Sequence, residues 1–291
     1  MKYNLNNKIG YLVVALLVLA SCGTNEETSN SSESQNESTE EVTPEIEKDP
    51  KEMLHEAYQL FKEGKDEESI QIANEVLAIG KKTNNDTLIG GALASLCRNA
   101  QRTLDTARLA ELSIQLAELA EQSGDQQWMM KRAHMNAEMW RLIGDLDKAE
   151  AFYEESMEIS YAIGSMGMYT IDHFNKSFVS TAKGNFDEAE VLISKYYDLL
   201  YERDSVYEDA YGLIALSYLL EQKQNYEGAH EVAVVTRRLF KEQNIFPEPP
   251  DEKPLLAVEE KVKEELDEKA YNEIKKQSDS ETVKSLLDKY L

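Results

Sequence analysis

The feature that most constrains this chain is a spacing. From about Asp49 to Gln243 it can be laid out in five rows of forty residues, and each column of that layout keeps one physical character. A turn column reads Gly64, Leu104, Gly144, Gly184 and Gln224. Seven residues earlier stand Ala57, Cys97, Ala137, Ser177 and Ser217, all small, as close helix approach requires. Eight residues after the turn come Ile72, Leu112, Phe152, Leu192 and Val232, and seven further on Ile79, Leu119, Ile159, Leu199 and Leu239, all apolar. A separation of seven returns a side chain to nearly the same helix face, so these two columns are expected to form the buried stripe of the second helix in each row. Ser69, Leu109, Ala149, Ala189 and Ala229 mark the crossing point with the first helix.

Each row therefore predicts a helical hairpin. A hairpin of helices about 25 Å long cannot bury its apolar face alone, so the five are expected to stack into a solenoid. Only 13 Gly and 6 Pro in 291 residues agree with an all-α chain. The clearest copy is Gly144-Asp145-Leu146-Asp147-Lys148-Ala149, in which Gly144 ends one helix, Asp145 caps the next and Ala149 allows close contact.

These signatures, with Gly184-Asn185-Phe186-Asp187-Glu188-Ala189 and Asn225-Tyr226-Glu227-Gly228-Ala229, resemble the tetratricopeptide repeat over about two thirds of the chain. The resemblance implies an all-α, α-α superhelix of five hairpins that displays a ligand-binding concave face on its first helices. Two departures are a period of forty rather than about thirty-four and a second row degenerate at Leu104, Thr106 and Leu109, whose local geometry is thereby in question.

Phe246-Pro247-Glu248-Pro249-Pro250 breaks the repeat and predicts a stiff connector to Pro254. A helix is expected from Leu255 to Lys276 and another from Ser280 to Tyr290, together capping the stack. The stretch Glu265–Tyr271 with Ser280–Val283 resembles the tail that closes the repeat domains of large signalling ATPases and MalT-like regulators.

At the amino end, Lys2 and Lys8 precede an apolar run from Ile9 to Ala20, too short to span a bilayer but suited to a signal peptide. Leu19-Ala20-Ser21-Cys22 resembles a bacterial lipobox, which implies that Cys22 accepts a diacylglycerol and that the mature chain starts there. Residues 23–50 carry nine acids against Lys48, a net charge of −8, and read as an acidic, disordered tether. The expected organisation is a signal peptide over 1–21, a tether over 22–48, repeats over 49–245 and a connector with capping helices over 246–291. Gly23 after the cysteine implies an outer-membrane lipoprotein; whether it faces the periplasm or the cell surface is left open by Glu26-Glu27.

A formal charge of −24 repels phosphate backbones, so nucleic acid is not an expected partner. His55, His134, His173 and His230 lie far apart and none pairs with Cys97, so no metal site is expected, and Cys97 reads as a buried, inert thiol. No phosphate loop, nucleophile elbow or zinc-protease motif occurs. Adjacent acids such as Glu154-Glu155 and Asp187-Glu188 read as solvated surface. The chain is expected to be non-enzymatic and to need no cofactor.

Counted from the turns, the concave face should present Leu54, Tyr58 and Phe61, then Arg98, Gln101 and Arg102, then Lys131, His134, Glu138 and Arg141, then Phe174, Phe178, Tyr211 and Tyr218. Its centre is basic on an acidic protein, which suits the carboxylates of a protein or peptide partner. Charge reversal at Arg98 and Arg141 is expected to abolish capture with no change in melting temperature. A small-molecule or glycan ligand is the rival reading, weakened by a content of only two Trp.

Overall fold

The computed structural model describes residues 48–202 and 209–291. The five rows are five helical hairpins: α1 (Pro50–Lys62) with α2 (Asp66–Thr83), α3 (Asp86–Arg102) with α4 (Thr106–Ser123), α5 (Gln126–Ile143) with α6 (Leu146–Ala162), α7 (Met166–Ala182) with α8 (Phe186–Glu202), and α9 (Asp209–Gln222) with α10 (Tyr226–Gln243). The described residues contain no strand, and none of their helices is long and apolar enough to cross a membrane. The signal peptide, Cys22 and nearly all of the tether lie outside the described residues.

The turns explain the period. Gly64, Leu104, Gly144, Gly184 and Gln224 all have positive φ, between 56° and 90°. In every row the next residue donates its amide to a carbonyl five residues back: Lys65 to Leu60, Asp105 to Ala100, Asp145 to Trp140, Asn185 to Ser180 and Asn225 to Leu220, at 2.8–3.0 Å. This is the Schellman closure, and it satisfies carbonyls that the ending helix leaves orphaned. Row two shares it, so the degenerate signature does not change the geometry. A second left-handed column at Asn84, Gly124, Gly164 and Asn244 ends the second helices, and the forty-residue row is thus two helix-plus-turn units of about twenty residues.

Leu104 holds its left-handed conformation at φ 56° while 43% exposed. A non-glycine residue there costs about 1–2 kcal/mol, and glycine returns about 0.5–1 kcal/mol of that through the entropy of the unfolded chain. Leu104→Gly should therefore raise stability by about 0.5–1 kcal/mol, seen as a melting temperature higher by about 1–3 °C. A lower melting temperature would show that the Leu104 side chain contributes packing that outweighs the strain.

The small column Ala57, Cys97, Ala137, Ser177 and Ser217 is fully buried, as is the crossing column Ser69, Leu109, Ala149, Ala189 and Ala229. Half of the expected second-helix stripe is buried, namely Leu112, Leu119, Leu192, Leu199 and Val232, but its other half is not the most buried line of the helix. Ile72, Phe152, Ile79, Ile159 and Leu239 are only half-buried, whereas Ala73, Ser113, Tyr153, Ile193 and Ala233, with Val76, Leu116, Ser156, Tyr196 and Thr236, are almost wholly inside. The true stripe mixes small and hydroxyl residues with large ones, and so does not stand out by hydropathy.

Successive first helices touch one another, α1 to α3, α3 to α5, α5 to α7 and α7 to α9, which second helices do not do to a comparable extent. The closer spacing of the first helices puts them on the inside of the curve. The concave face is therefore built from α1, α3, α5, α7 and α9, as the resemblance implies.

The C-terminal segment departs from expectation. Pro249 and Pro250 form the first turn of α11 (Pro249–Glu265), where a missing amide costs nothing, so the stretch to Pro254 is helix rather than connector. The helix expected over 255–276 is two: extended backbone at Leu266 stops α11, and Asp267 caps α12 (Glu268–Gln277). A short 3-10 turn (Ser278–Ser280) follows, and the cap of α13 (Val283–Tyr290) is Thr282 in a reciprocal capping box with Ser285, not Ser280. Leu255, Val258 and Val262 bury α11 against α9 and α10. Arg237 grips Glu259 bidentately at 2.8 and 2.9 Å, and the His230 ring stacks on Tyr271 at 3.9 Å. The end of the stack is covered, with α11 placed as a sixth first helix.

Candidate functional site on the concave face

The concave positions divide into three groups. On α1 and α3, Arg98 lies over the rings of Tyr58 and Phe61, with centroid distances of 4.9 and 5.6 Å. Arg102, one turn further along α3, lies 3.5 Å from the Phe61 centroid, bonds the Phe61 carbonyl and pairs with Asp66 at 3.0 Å. Tyr58 is 41% exposed. On α5, Lys131 sits over Trp128 at 4.7 Å. Burial and the neighbouring Arg98 charge lower the Lys131 pKa. Among the described residues, no carboxylate lies within 4.0 Å of Arg98 or Lys131.

The second group is interior. Glu138 is fully buried and accepts from Gln101 Nε2 at 2.5 Å, from Arg141 Nη2 at 2.7 Å and from the Tyr153 hydroxyl. His134 Nδ1 lies 2.7 Å from Asp172 Oδ1, whose other oxygen accepts from Ser156 Oγ at 2.6 Å. His134, Phe174 and Phe178 are 5–7% exposed, so these three and Glu138 knit helices together rather than line a groove. Burial by itself would lower the His134 pKa, but the Asp172 carboxylate outweighs it and the pKa is raised. Burial pushes Glu138 up, while Arg141, His134 and the bonds from Arg141 and Tyr153 hold it below the ordinary value. Arg141 is thus a structural counter-ion, and reversing its charge will not leave the melting temperature unchanged. Ser156 donates to Asp172 and not to His134, so this trio does not have the hydroxyl–imidazole–carboxylate order of a nucleophilic triad.

The third group meets the segment expected to be only a connector. The Tyr211 hydroxyl donates to the Phe246 carbonyl at 3.3 Å, and Arg102 Nη2 pairs with Glu248 Oε1 at 3.2 Å across 146 residues of sequence. Asp251 comes within electrostatic reach of Arg141 and Glu138; burial, aided by Glu138 and Glu248 against the pull of Arg141, raises its pKa to about 7. The start of α11 therefore closes part of the concave face with its own acids. The remaining aromatics are packed, with Phe178 and Tyr218 centroids 6.0 Å apart and Phe174 edge-on to Tyr211 at 6.3 Å. No sequence motif announces the Arg102–Glu248 pair; the acid-proline composition of 246–251 is its only trace.

Other clusters are accounted for locally. Cys97 is fully buried and its thiol is pushed up to about 12 by burial. Glu150, Glu154 and Glu188 gather their carboxylates within 4.8 Å of one another, but Lys176 bridges Glu154 and Glu188 at 2.9 and 2.8 Å and Lys183 holds Glu150 at 2.7 Å. Glu155 pairs with Arg132.

No family model and no curated protein matches this chain. Solved structures do. The apo form of RapI aligns over 76% of this chain and 87% of its own, at 15% identity and a TM-score of 0.53. BtubC (BKLC) from P. vanneervenii aligns over 84% of this chain and 94% of its own, at 16% identity and a TM-score of 0.46. At such identities the likeness to RapI is one of fold. The chain is an all-α, helical-repeat superhelix of the tetratricopeptide-like kind.

Proposed function

We propose that this chain is a non-catalytic scaffold of the bacterial envelope, anchored through a lipid on Cys22, that holds a protein or peptide partner on its concave face. The observation that carries the reading is the pair Arg98 and Lys131, half-buried on the inner helices without carboxylate partners while the chain as a whole carries a charge of −24. The other inner arginines, Arg102 and Arg141, are neutralised by acids of this chain. The exposed ring of Tyr58 supplies an amphipathic contact beside the cations. A helical-repeat fold supplies the extended inner surface such a role needs. The lipid anchor rests on the lipobox-like Leu19-Ala20-Ser21-Cys22 and on the acidic tether.

The test is affinity capture from detergent-solubilised envelopes, with wild-type and Cys22→Ala chains side by side. The wild-type chain should fractionate with membranes and retain a stoichiometric protein, and Cys22→Ala should move to the soluble fraction. Membrane retention of Cys22→Ala would remove the anchor. Absence of a protein partner together with glycan-dependent thermal stabilisation would replace the scaffold by a glycan-binding lipoprotein.

A further inference from the structure

We propose that Arg98 and Lys131, with Tyr58 at their side, form a carboxylate-binding site, and that the partner enters it with a short run of Asp or Glu residues. The inference rests on the scaffold reading above and names the chemistry of what is bound. Arg98 on α3 and Lys131 on α5 are close enough for each charge to act on the other, and Asp125 is the acid that partly compensates Lys131. Two half-buried cations within electrostatic reach of each other, neither with a carboxylate within 4.0 Å among the described residues, are costly to hold together. Rings answer them in this structure: Tyr58 and Phe61 for Arg98, Trp128 for Lys131. A ring face attracts a cation but leaves its charge in place, so both groups keep their capacity for a carboxylate.

The molecule displays the matching ligand chemistry one helical turn away. Arg102 donates to the Glu248 carboxylate, just before α11, while its guanidinium also lies over the Phe61 ring. An arginine stacked on an aromatic and capped by an acid is thus the local solution when an acid is available. Arg98 has the same kind of aromatic seat and lacks the acid, and Lys62, 5.2 Å from the Tyr58 centroid, adds a third positive charge at the open edge. A peptide acid there would continue the line that Glu248 begins.

The probe is fluorescein-labelled hexaglutamate, titrated into the full-length chain in detergent micelles and read by anisotropy. At about 0.15 M salt the Debye length of about 8 Å screens the distant acids of the protein more than the adjacent cations. Wild type should bind hexaglutamate, and Arg98→Gln with Lys131→Gln should weaken binding about tenfold or more at a melting temperature no lower than that of wild type. Arg98→Lys, which keeps the charge, should retain most of the affinity. Equal binding by wild type and the double variant overturns the site. Tighter binding of tripolyphosphate than of hexaglutamate overturns the carboxylate assignment in favour of a phosphate ligand. A captured partner that the double variant retains removes this site and leaves the scaffold standing, whereas hexaglutamate binding without any captured partner supports the site and removes the scaffold.

Discussion

Glu138→Ala is expected to lower stability by about 3–5 kcal/mol, a fall of roughly 10 °C in melting temperature. The carboxylate is fully buried where α3, α5 and α6 meet, and three donors converge on it: Gln101, Arg141 and Tyr153. Removing it leaves the Arg141 guanidinium inside the protein without its counter-ion, and Arg141 Nε already has no hydrogen-bond partner there. Breaking one side of such a pair costs far more than the pair contributes, because an uncompensated charge remains. Glu138→Gln keeps an acceptor oxygen and the shape but not the charge, so its loss should be smaller. Chemical denaturation of the two variants separates charge from hydrogen bonding, and a loss below about 1 kcal/mol for the alanine variant would mean that water or Asp251 takes over the role of Glu138.

The same residue shows where sequence reasoning reaches its limit. The column one residue after the small one contains Tyr58, Arg98, Glu138, Phe178 and Tyr218, and on periodicity all five share one face. They do share it, but the face is open at row one and closed by row three, since Glu138 is buried and Tyr58 is 41% exposed. Curvature and the position of α11 make that difference, and neither has a period. The hairpins are legible because each turn needs a left-handed conformation, which glycine marks in three of the five rows, and each first helix needs a small residue seven positions earlier. Even the degenerate Leu104 adopts the required φ, so tertiary packing imposes a geometry that its own side chain disfavours. The buried second-helix stripe is only half legible for the opposite reason: Leu112, Leu192 and Val232 are inside as their hydropathy implies, but so are Ser113, Ser156 and Thr236, which read as polar. Contacts such as Arg102 with Glu248 depend on how far the superhelix turns before row five, a sum of small angles that no local motif encodes.

That closure predicts an unusual pH response. Asp251 sits near Arg141, yet its pKa is raised to about 7, mainly by burial, with Glu138 and Glu248 adding to the rise against the pull of Arg141. Arg141 is already paired with Glu138 at 2.7 Å, so its charge is largely committed. An acid whose folded-state pKa is raised contributes stability that is full below its ordinary value of 3.8 and is lost as pH climbs through about 7. His134, also raised, acts in the same direction: its contribution is full below 6.5 and is lost as pH passes its folded value. Glu138, held low, opposes them only in acid, where its contribution is lost as pH falls through its folded value. Between pH 6 and 8 the wild-type chain should therefore lose stability. Asp251→Asn removes the acid and keeps the shape, so it should be more stable than wild type by about 1–2 kcal/mol at pH 8 and should lose about 1 kcal/mol less across that interval, after allowance for the partial exposure of Asp251. What slope remains is the balance of His134 and Asp209, whose raised pKa values act in the same direction, against His173 and His230, whose pKa values burial lowers and which oppose them. Urea titrations at the two pH values decide the matter: parallel losses in both chains would mean that Asp251 ionises in contact with solvent and that the start of α11 lies against the concave face without regard to its charge.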